Sequence, residues 1–547
     1  MKEFNDVKWL IRQLTTFEQR VLLKIVSIQN ESVFIDENLS LKLIRTVFKD
    51  PLISEDSVSI ILYGSIKKVA FRKLLQRVEE KIMDVLLLHG SIICNSNYDQ
   101  RAREILMLRK KLLQFDMLWM RGGSKMILQQ LDKIIDKAEK YEYYEILLFA
   151  LYKKRNLLAV LISKAQYKLL SEKINYFEIC RKSLLSANEY VHQTGIIKIR
   201  INGGKKDWKG QVELYRNNLY SVLKLVKSCN IERCLLYIEI EYFICEGDLK
   251  RALDKSLVLM KFVKNNLPVY TSMRYESALL NVILLEAQSY LFESAFTRLK
   301  EVGKMMKRHF YNHFILSEMT FLICLFSSKI EDFTKQIKIM KNLVSVQKER
   351  SEFSLKTDYF QSILDYLSTE NSNNKMTFKN YTSQDLPDDK WKFSQRVFQI
   401  QLLIESEKFE QADFQIENNR KFVERLKKSE VLNARQALIS KILVELSRKS
   451  YDFKKVWKSR RKELDLLDSV DPDYRWQIMS PELVVFHEWF QAQLNHEKYD
   501  HGKVMAKMKA KISPLVQKPL LTLPADGGSK HNRRVSARVK GEKLASA

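Results

Sequence analysis

Few residues in this chain have the types and spacing that chemistry requires. His487-Glu488 opens like the helix of a zinc protease, in which two histidines four apart bind the metal and the glutamate serves as base. Position 491 is Gln, so the second ligand is missing. His496 and His501 stand five apart, a spacing that does not place both on one helix face. Gly203-Gly204-Lys205-Lys206 has the glycines and lysine of a phosphate cradle. The full G-x-x-x-x-G-K-S/T pattern is absent and no strand precedes it, so it reads as a plain loop before a helix. No nucleophile elbow, kinase signature set or dinucleotide fingerprint occurs. The six cysteines, at 94, 180, 229, 234, 245 and 324, form no C-x-x-C pair and gather around no histidine. They read as the thiols of a reduced, cytoplasmic chain, filling space as small hydrophobes. The sequence points away from an enzyme and calls for no cofactor or metal.

One cluster gives a positive signal. Between Arg448 and Arg461, cations alternate with Tyr451, Phe453 and Trp457. Lys454, Lys455, Lys458, Arg460 and Arg461 form a candidate patch for an anionic partner. Such groups neutralise phosphates with salt-dependent affinity, and an exposed Trp stacks on a base. The competing reading turns Phe453 and Trp457, four apart, into a core and leaves the lysines in water. The formal net charge of +27 favours nucleic acid, an acidic protein or a membrane surface as partner. A Lys-, Ile- and Asn-rich chain from an AT-biased genome would carry the same charge without a function for it.

The elements that must position such a patch are helices. Only 14 Gly and 8 Pro occur in 547 residues, and no proline lies between Pro51 and Pro268 or between Pro268 and Pro387. Proline in a helix interior removes a hydrogen bond and clashes with the preceding turn, so proline-free blocks rich in Leu, Ile, Lys and Glu suit helices. Hydrophobic residues make up 46%, too many for a disordered chain. No apolar run approaches the roughly 20 residues of a membrane span, so no membrane insertion is expected. Phe321–Phe326 is too short. The N-terminus, MKEFNDVKWLIRQL, has no apolar core or cleavage site of a secretory signal.

A local pattern recurs in these helices. A large residue, followed three positions later by a small or medium one, appears as Trp208 with Gln211, Leu249 with Ala252 and Phe292 with Ala295. It returns as Phe333 with Gln336, Phe409 with Ala412 and Phe453 with Val456. The intervals are 41, 43, 41, 76 and 44, the fourth being close to two periods of 38 and hiding a degenerate unit near Thr369–Lys375. Stepping back by 41 from Trp208 reaches Tyr167, then Met126. Helix 101–120, ending at Arg121-Gly122-Gly123, and a helix from Met126 to about Tyr141 would form the first pair. A period near 40 is the mark of stacked helix hairpins, each burying its neighbour's face. The turn residue wedges between helices and the alanine lets backbones approach.

Gly247-Asp248-Leu249-Lys250-Arg251-Ala252-Leu253, Tyr290–Phe296 and Lys408–Ala412 resemble the inter-helix turn and second-helix start of a tetratricopeptide repeat. The resemblance spans about 100 to 500. The whole chain is also similar to tetratricopeptide-like proteins of Bacteroidota-type bacteria. The units are longer than the usual 34 residues, and the first-helix Trp, Leu, Gly, Tyr pattern is mostly missing. The resemblance implies a superhelical scaffold with a concave surface for a peptide or protein partner, and no binding residue transfers from it.

The expected fold is all-α: a right-handed solenoid of antiparallel helix pairs behind a helical N-terminal cap. The expected divisions are a helical segment at 1–95, one repeat array at 96–380, a second at 381–512, and a disordered basic tail at 513–547. In the first, Trp9, Leu10, Leu14, Phe17, Val21 and Leu22 recur at helical spacing, as do Phe71, Leu74, Leu75, Val78, Ile82 and Val85. Four or so helices are expected there, as a cap or as a DNA reader. Polar stretches at Thr369–Lys375 and Ser383–Asp389 suggest a loop or hinge near 380. Asp471-Pro472 and Ser480-Pro481 are expected helix starts, since proline is tolerated in the first turn. The expected function is a non-enzymatic scaffold that binds a protein or peptide, with a nucleic-acid-associated regulator as the alternative.

Overall fold

The computed structural model describes residues 4–28, 39–50, 52–88, 99–120, 124–159, 164–200, 208–305, 310–328, 330–346, 351–368, 388–428, 432–471 and 473–517. Cys94, Arg121–Gly123, Gly203–Lys206, Thr369–Lys375, Ser383–Pro387, Pro472 and 518–547 lie outside the described residues. Among the described residues there are 23 helices and no strand.

Helices α1 (Phe4–Gln13), α2 (Thr16–Ile28), α3 (Leu39–Lys49), α4 (Glu55–Tyr63) and α5 (Lys68–Leu86) share one core. The second expected stripe, Phe71 to Val85, is fully buried in it. The first is corrected in part: Leu14 and Leu22 are buried and Leu10 and Val21 half-buried, while Trp9 is 60% and Phe17 40% exposed and Phe4, Val7 and Ile11 take the buried face of α1. A break at Thr15 sets this register. The Thr15 backbone N–H donates to Glu18 Oε2 at 2.7 Å, and the Glu18 N–H donates to Thr15 Oγ1 at 3.3 Å. That reciprocal capping box starts α2 afresh.

The remaining helices run in order. They are α6 (Gln100–Met120), α7 (Ser124–Lys140), α8 (Tyr144–Leu158), α9 (Lys164–Arg200), α10 (Trp208–Leu225) and α11 (Cys229–Cys245). Then come α12 (Leu249–Asn265), α13 (Ser272–Gln288), α14 (Phe292–Met305), α15 (Phe310–Phe326), α16 (Ile330–Val346) and α17 (Ser351–Ser368). The last are α18 (Asp389–Glu405), α19 (Phe409–Lys428), α20 (Ala434–Arg448), α21 (Phe453–Leu467), α22 (Phe486–Leu494) and α23 (His501–Gln517). Most pack chiefly on their neighbours in sequence, the arrangement of a solenoid, and α9 also reaches α11.

One turn joins many of the pairs. The backbone N–H groups of Tyr143, Asp248, Leu291, Lys408, Tyr451 and Glu497 each donate to the carbonyl five residues back, at 2.8 to 2.9 Å. The preceding residues have positive φ: Glu142, Gly247, Tyr290, Glu407, Ser450 and His496. This is a Schellman turn, which satisfies carbonyls left open at a helix end. Only one of the six is glycine, although a left-handed residue with a Cβ costs about 1–2 kcal/mol. Ala252, Ala295 and Ala412 are fully buried one turn into the next helix, as close backbone approach requires. Leu249, Phe292, Phe453 and Trp208 are half-buried at their helix starts, whereas Phe409 is 41% exposed and stacks on Tyr451 at 4.6 Å.

The register differs from the sequence reading in three places. Ser328 has the positive φ and α16 starts at Ile330, so Phe333 lies one turn inside the helix rather than at the turn. Tyr167 marks no turn, while Met126 lies in the first turn of α7, directly after residues outside the described ones. Among the described residues the first Schellman turn is at Glu142, and α9 runs unbroken for 37 residues through Tyr167. Composition hides this turn because its left-handed residue is a glutamate. The Glu142 carboxylate accepts from Ser228 Oγ and Cys229 N at 2.7 Å, Asn230 Nδ2 at 2.8 Å and Asn230 N at 3.0 Å. It thereby neutralises the positive end of α11.

Residues 468–517 double back as a clasp across the array. Trp476 meets Phe326 edge-on at 5.5 Å, His501 Nε2 donates to the Leu325 carbonyl at 3.0 Å, and Tyr359 donates to the Pro481 carbonyl at 3.3 Å. Trp489 Nε1 donates to Glu405 Oε1 at 2.7 Å. Ser480-Pro481 is therefore not a helix start. The Glu482 side chain is held by Arg435 and its carbonyl by Trp476 Nε1, which fixes the segment outside a helix until Phe486. The last helix also runs past 513, to Gln517.

Candidate functional site

The basic cluster lies on α21, and its aromatic residues take the core reading. Phe453 packs on Trp489 at 5.9 Å and on Phe490 at 5.1 Å, and Trp457 rests half-buried against the same core. Phe453 is thus committed to the core, and Trp457 is only partly exposed. The cations divide. Lys455 pairs with Asp452 at 3.1 Å, Arg461 lies 3.9 Å from Asp465, and Arg460 bridges Glu445 and Glu463 at 3.2 and 3.1 Å. Lys454 and Lys458 are exposed and pair with no carboxylate among the described residues. Arg460 departs from helical φ/ψ, kinking α21 where its guanidinium reaches across to α20.

That crossing closes one side of an open groove of about 690 Å³ over α20. The structure reveals this groove where sequence reasoning found only the α21 patch. Ala434, Ala437, Lys441 and Val444 line it, together with Val423 of α19 and Leu432. Their spacing of three to four residues puts them on one helix face, while Ile439, Ile442, Leu443 and Leu446 bury the other. Small residues on the outward face leave the space unfilled. Asn433 starts α20 with a capping box to Gln436.

The rim charges are mostly matched. Arg420 is gripped by Glu417 and Glu424, and Lys441 pairs with Glu463 at 2.9 Å. Lys427, in the last turn of α19, and Arg448, at the end of α20, are exposed and lack an ion-pair partner among the described residues. The sequence signal for this groove was present as two unlike faces on Ala434–Arg448. It carried no catalytic or ligand-type residue to attract notice.

His487 proves to belong to the clasp. Arg435, buried on α20, makes a two-pronged pair with Glu482, its Nε and Nη2 each 2.7 Å from a carboxylate oxygen. Its Nη1 donates to the carbonyls of Leu467 at 2.9 Å and Tyr474 at 2.7 Å. Nη2 also lies 3.2 Å from His487 Nδ1. A guanidinium only donates, so Nδ1 accepts and Nε2 carries the proton. Nε2 lies 3.2 Å from Asp468 Oδ1 and 3.5 Å from Glu488 Oε1, a trio close enough to hold a metal ion. The donor chemistry does not fit one. Lys511 already holds Asp468 at 2.8 Å, Lys507 holds Glu488 at 2.5 Å, and a metal would have to expel the Nε2 proton. Burial works to raise the Asp468 carboxyl, but hydrogen bonds from His487 and Lys511 outweigh it and hold it well below the usual range.

The two clasp histidines make it sensitive to acid. Burial pushes His487 down, against the pull of Asp468, and pushes His501 down from 6.5 to about 4. A histidine that titrates lower when folded lets the unfolded chain bind the extra proton first. Stability is therefore full above about pH 6.5 and falls as pH drops towards 4. Glu405, raised by burial, acts in the opposite direction, and Asp468 matters only below the usual carboxylate range. For His501 alone the loss at pH 5 is about 2 kcal/mol relative to pH 7.5. Urea midpoints at those two pH values check this; equal midpoints would refute it.

Comparisons of this chain with protein-family models, curated proteins and solved structures return no match.

Proposed function

We propose that this chain is a non-enzymatic interaction scaffold, a tetratricopeptide-like array that binds a protein or peptide partner in the cytoplasm. In this reading the array is a right-handed solenoid with a repeat near 40 residues, and 1–95 is its N-terminal cap. The observation that carries the proposal is the open groove over α20, with an apolar floor and, towards each end, a cation that has no ion-pair partner among the described residues. Floors of this kind, with a few placed polar groups, are where helical proteins receive ligand segments. Among the described residues no helix is long and apolar enough to cross a membrane. A nucleic-acid-associated role is the second reading, favoured by Lys454 and Lys458, which pair with no carboxylate among the described residues, and by the charge of +27.

Photo-crosslinking in the native cell tests the choice. A benzophenone amino acid at Lys441, in the groove, is expected to give a protein adduct absent from a control at exposed Met273. RNA or DNA adducts at 441, or equal yields at both positions, would contradict the scaffold reading.

A further inference from the structure

The groove over α20 also restricts what its occupant can be. Its floor is aliphatic and small: Ala437 and Val444 on α20, and Val423 on α19. None of its described lining residues is aromatic. Three rim cations, Arg420, Lys441 and Arg460, are already matched by glutamates. Lys427 and Arg448, which have no ion-pair partner among the described residues, stand towards the two ends of a 15-residue helix. At 1.5 Å per residue that helix is about 22 Å long. Lys427 stands in the last turn of α19, so the negative end of that helix and the positive end of α20 offset each other there, and the two side-chain cations carry the charge of the groove ends.

We propose that this groove takes an acidic amphipathic segment of a partner protein. Its apolar side chains would rest on Ala437 and Val444, and its carboxylates would meet Lys427 and Arg448. The proposal rests on the scaffold reading and narrows it to a partner chemistry. A helix laid in a groove is read by apolar anchors three and four residues apart, and small floor residues admit it closely. Charge complementarity then sets orientation and rejects basic segments. Nucleic acid fits less well: single strands need stacking platforms, and tracking a phosphate backbone takes several free cations.

The test pans a phage-displayed library of random 16-residue peptides on the full chain. Enriched sequences are expected to carry at least two net negative charges and Leu, Ile or Phe at helical spacing. A fluorescein-labelled peptide of that set should bind about tenfold more weakly to the Lys427→Glu, Arg448→Glu double variant, because like charges replace complementary ones. Ala437→Trp, which fills the floor, should weaken it by at least as much. Thermal melts of both variants check that they remain folded, and the charge variant still decides the matter if the tryptophan variant does not fold. Basic or uncharged peptides that are lost on Ala437→Trp would overturn the acidic partner and leave the scaffold reading standing. Peptides that bind both variants unchanged would overturn the groove as their site. Failure to enrich any peptide, with a labelled 20-nucleotide oligo-dT held by the chain and weakened by the charge reversals, would overturn both readings.

Discussion

Arg435→Ala is expected to destabilise the chain by about 3–5 kcal/mol, the usual cost of stranding one partner of a buried ion pair. Arg435 is 7% exposed and hydrogen-bonds to four residues of the chain beyond α20, which makes it the tie between the array and the clasp. Its loss leaves the Glu482 carboxylate in a largely buried site and strips the carbonyls of Leu467 and Tyr474 of their donor. A paired Arg435→Met, Glu482→Leu variant separates the two effects. Removing both charges together should recover most of the loss, because an apolar pair of similar volume replaces a buried ion pair at little cost. Urea unfolding of the three proteins measures this. A loss under about 1 kcal/mol for Arg435→Ala would show that the pair is solvated and the clasp loosely held.

Trp489→Ala is expected to cost a similar 3–5 kcal/mol, for a different reason: it empties a core site. Trp489 is fully buried, among the largest side chains to be so, and packs against Phe453 and Phe486. Its Nε1 also donates to Glu405 at 2.7 Å, so the substitution both opens a cavity and removes a hydrogen bond that ties the clasp to α18. Trp457→Ala is the internal control. It is only half-buried, on the same core, and should cost clearly less. Equal losses at the two positions would mean that the clasp contributes no more than the surface of α21.

The helices were legible because apolar spacing and absent proline both depend on local sequence. The stripe Phe71–Val85 and the buried alanines at 252, 295 and 412 show that directly. Turns were legible only where composition marks them. Gly247 advertises a left-handed residue, but Glu142, Tyr290 and Glu407 adopt the same conformation with side chains that do not. Their turns are stabilised by backbone hydrogen bonds and, for Glu142, by capping a helix distant in sequence, which spacing cannot reveal. The clasp was illegible for the same reason. Ser480-Pro481 has the local signature of a helix start, and it is overridden by Arg435, 47 residues from Glu482. The groove was partly legible. Ala434, Ala437 and Val444 are ordinary helix residues, and their meaning depends on nothing else covering them.

The face of α20 is the proposed binding surface. Hydrogen–deuterium exchange of the full chain, with and without a captured partner or selected peptide, tests it most directly. Added protection is expected on α19 and α20, over 420–448, with the clasp and α1–α5 unchanged. Protection that falls on α1–α5 or along 453–462, with none over 434–448, would contradict it.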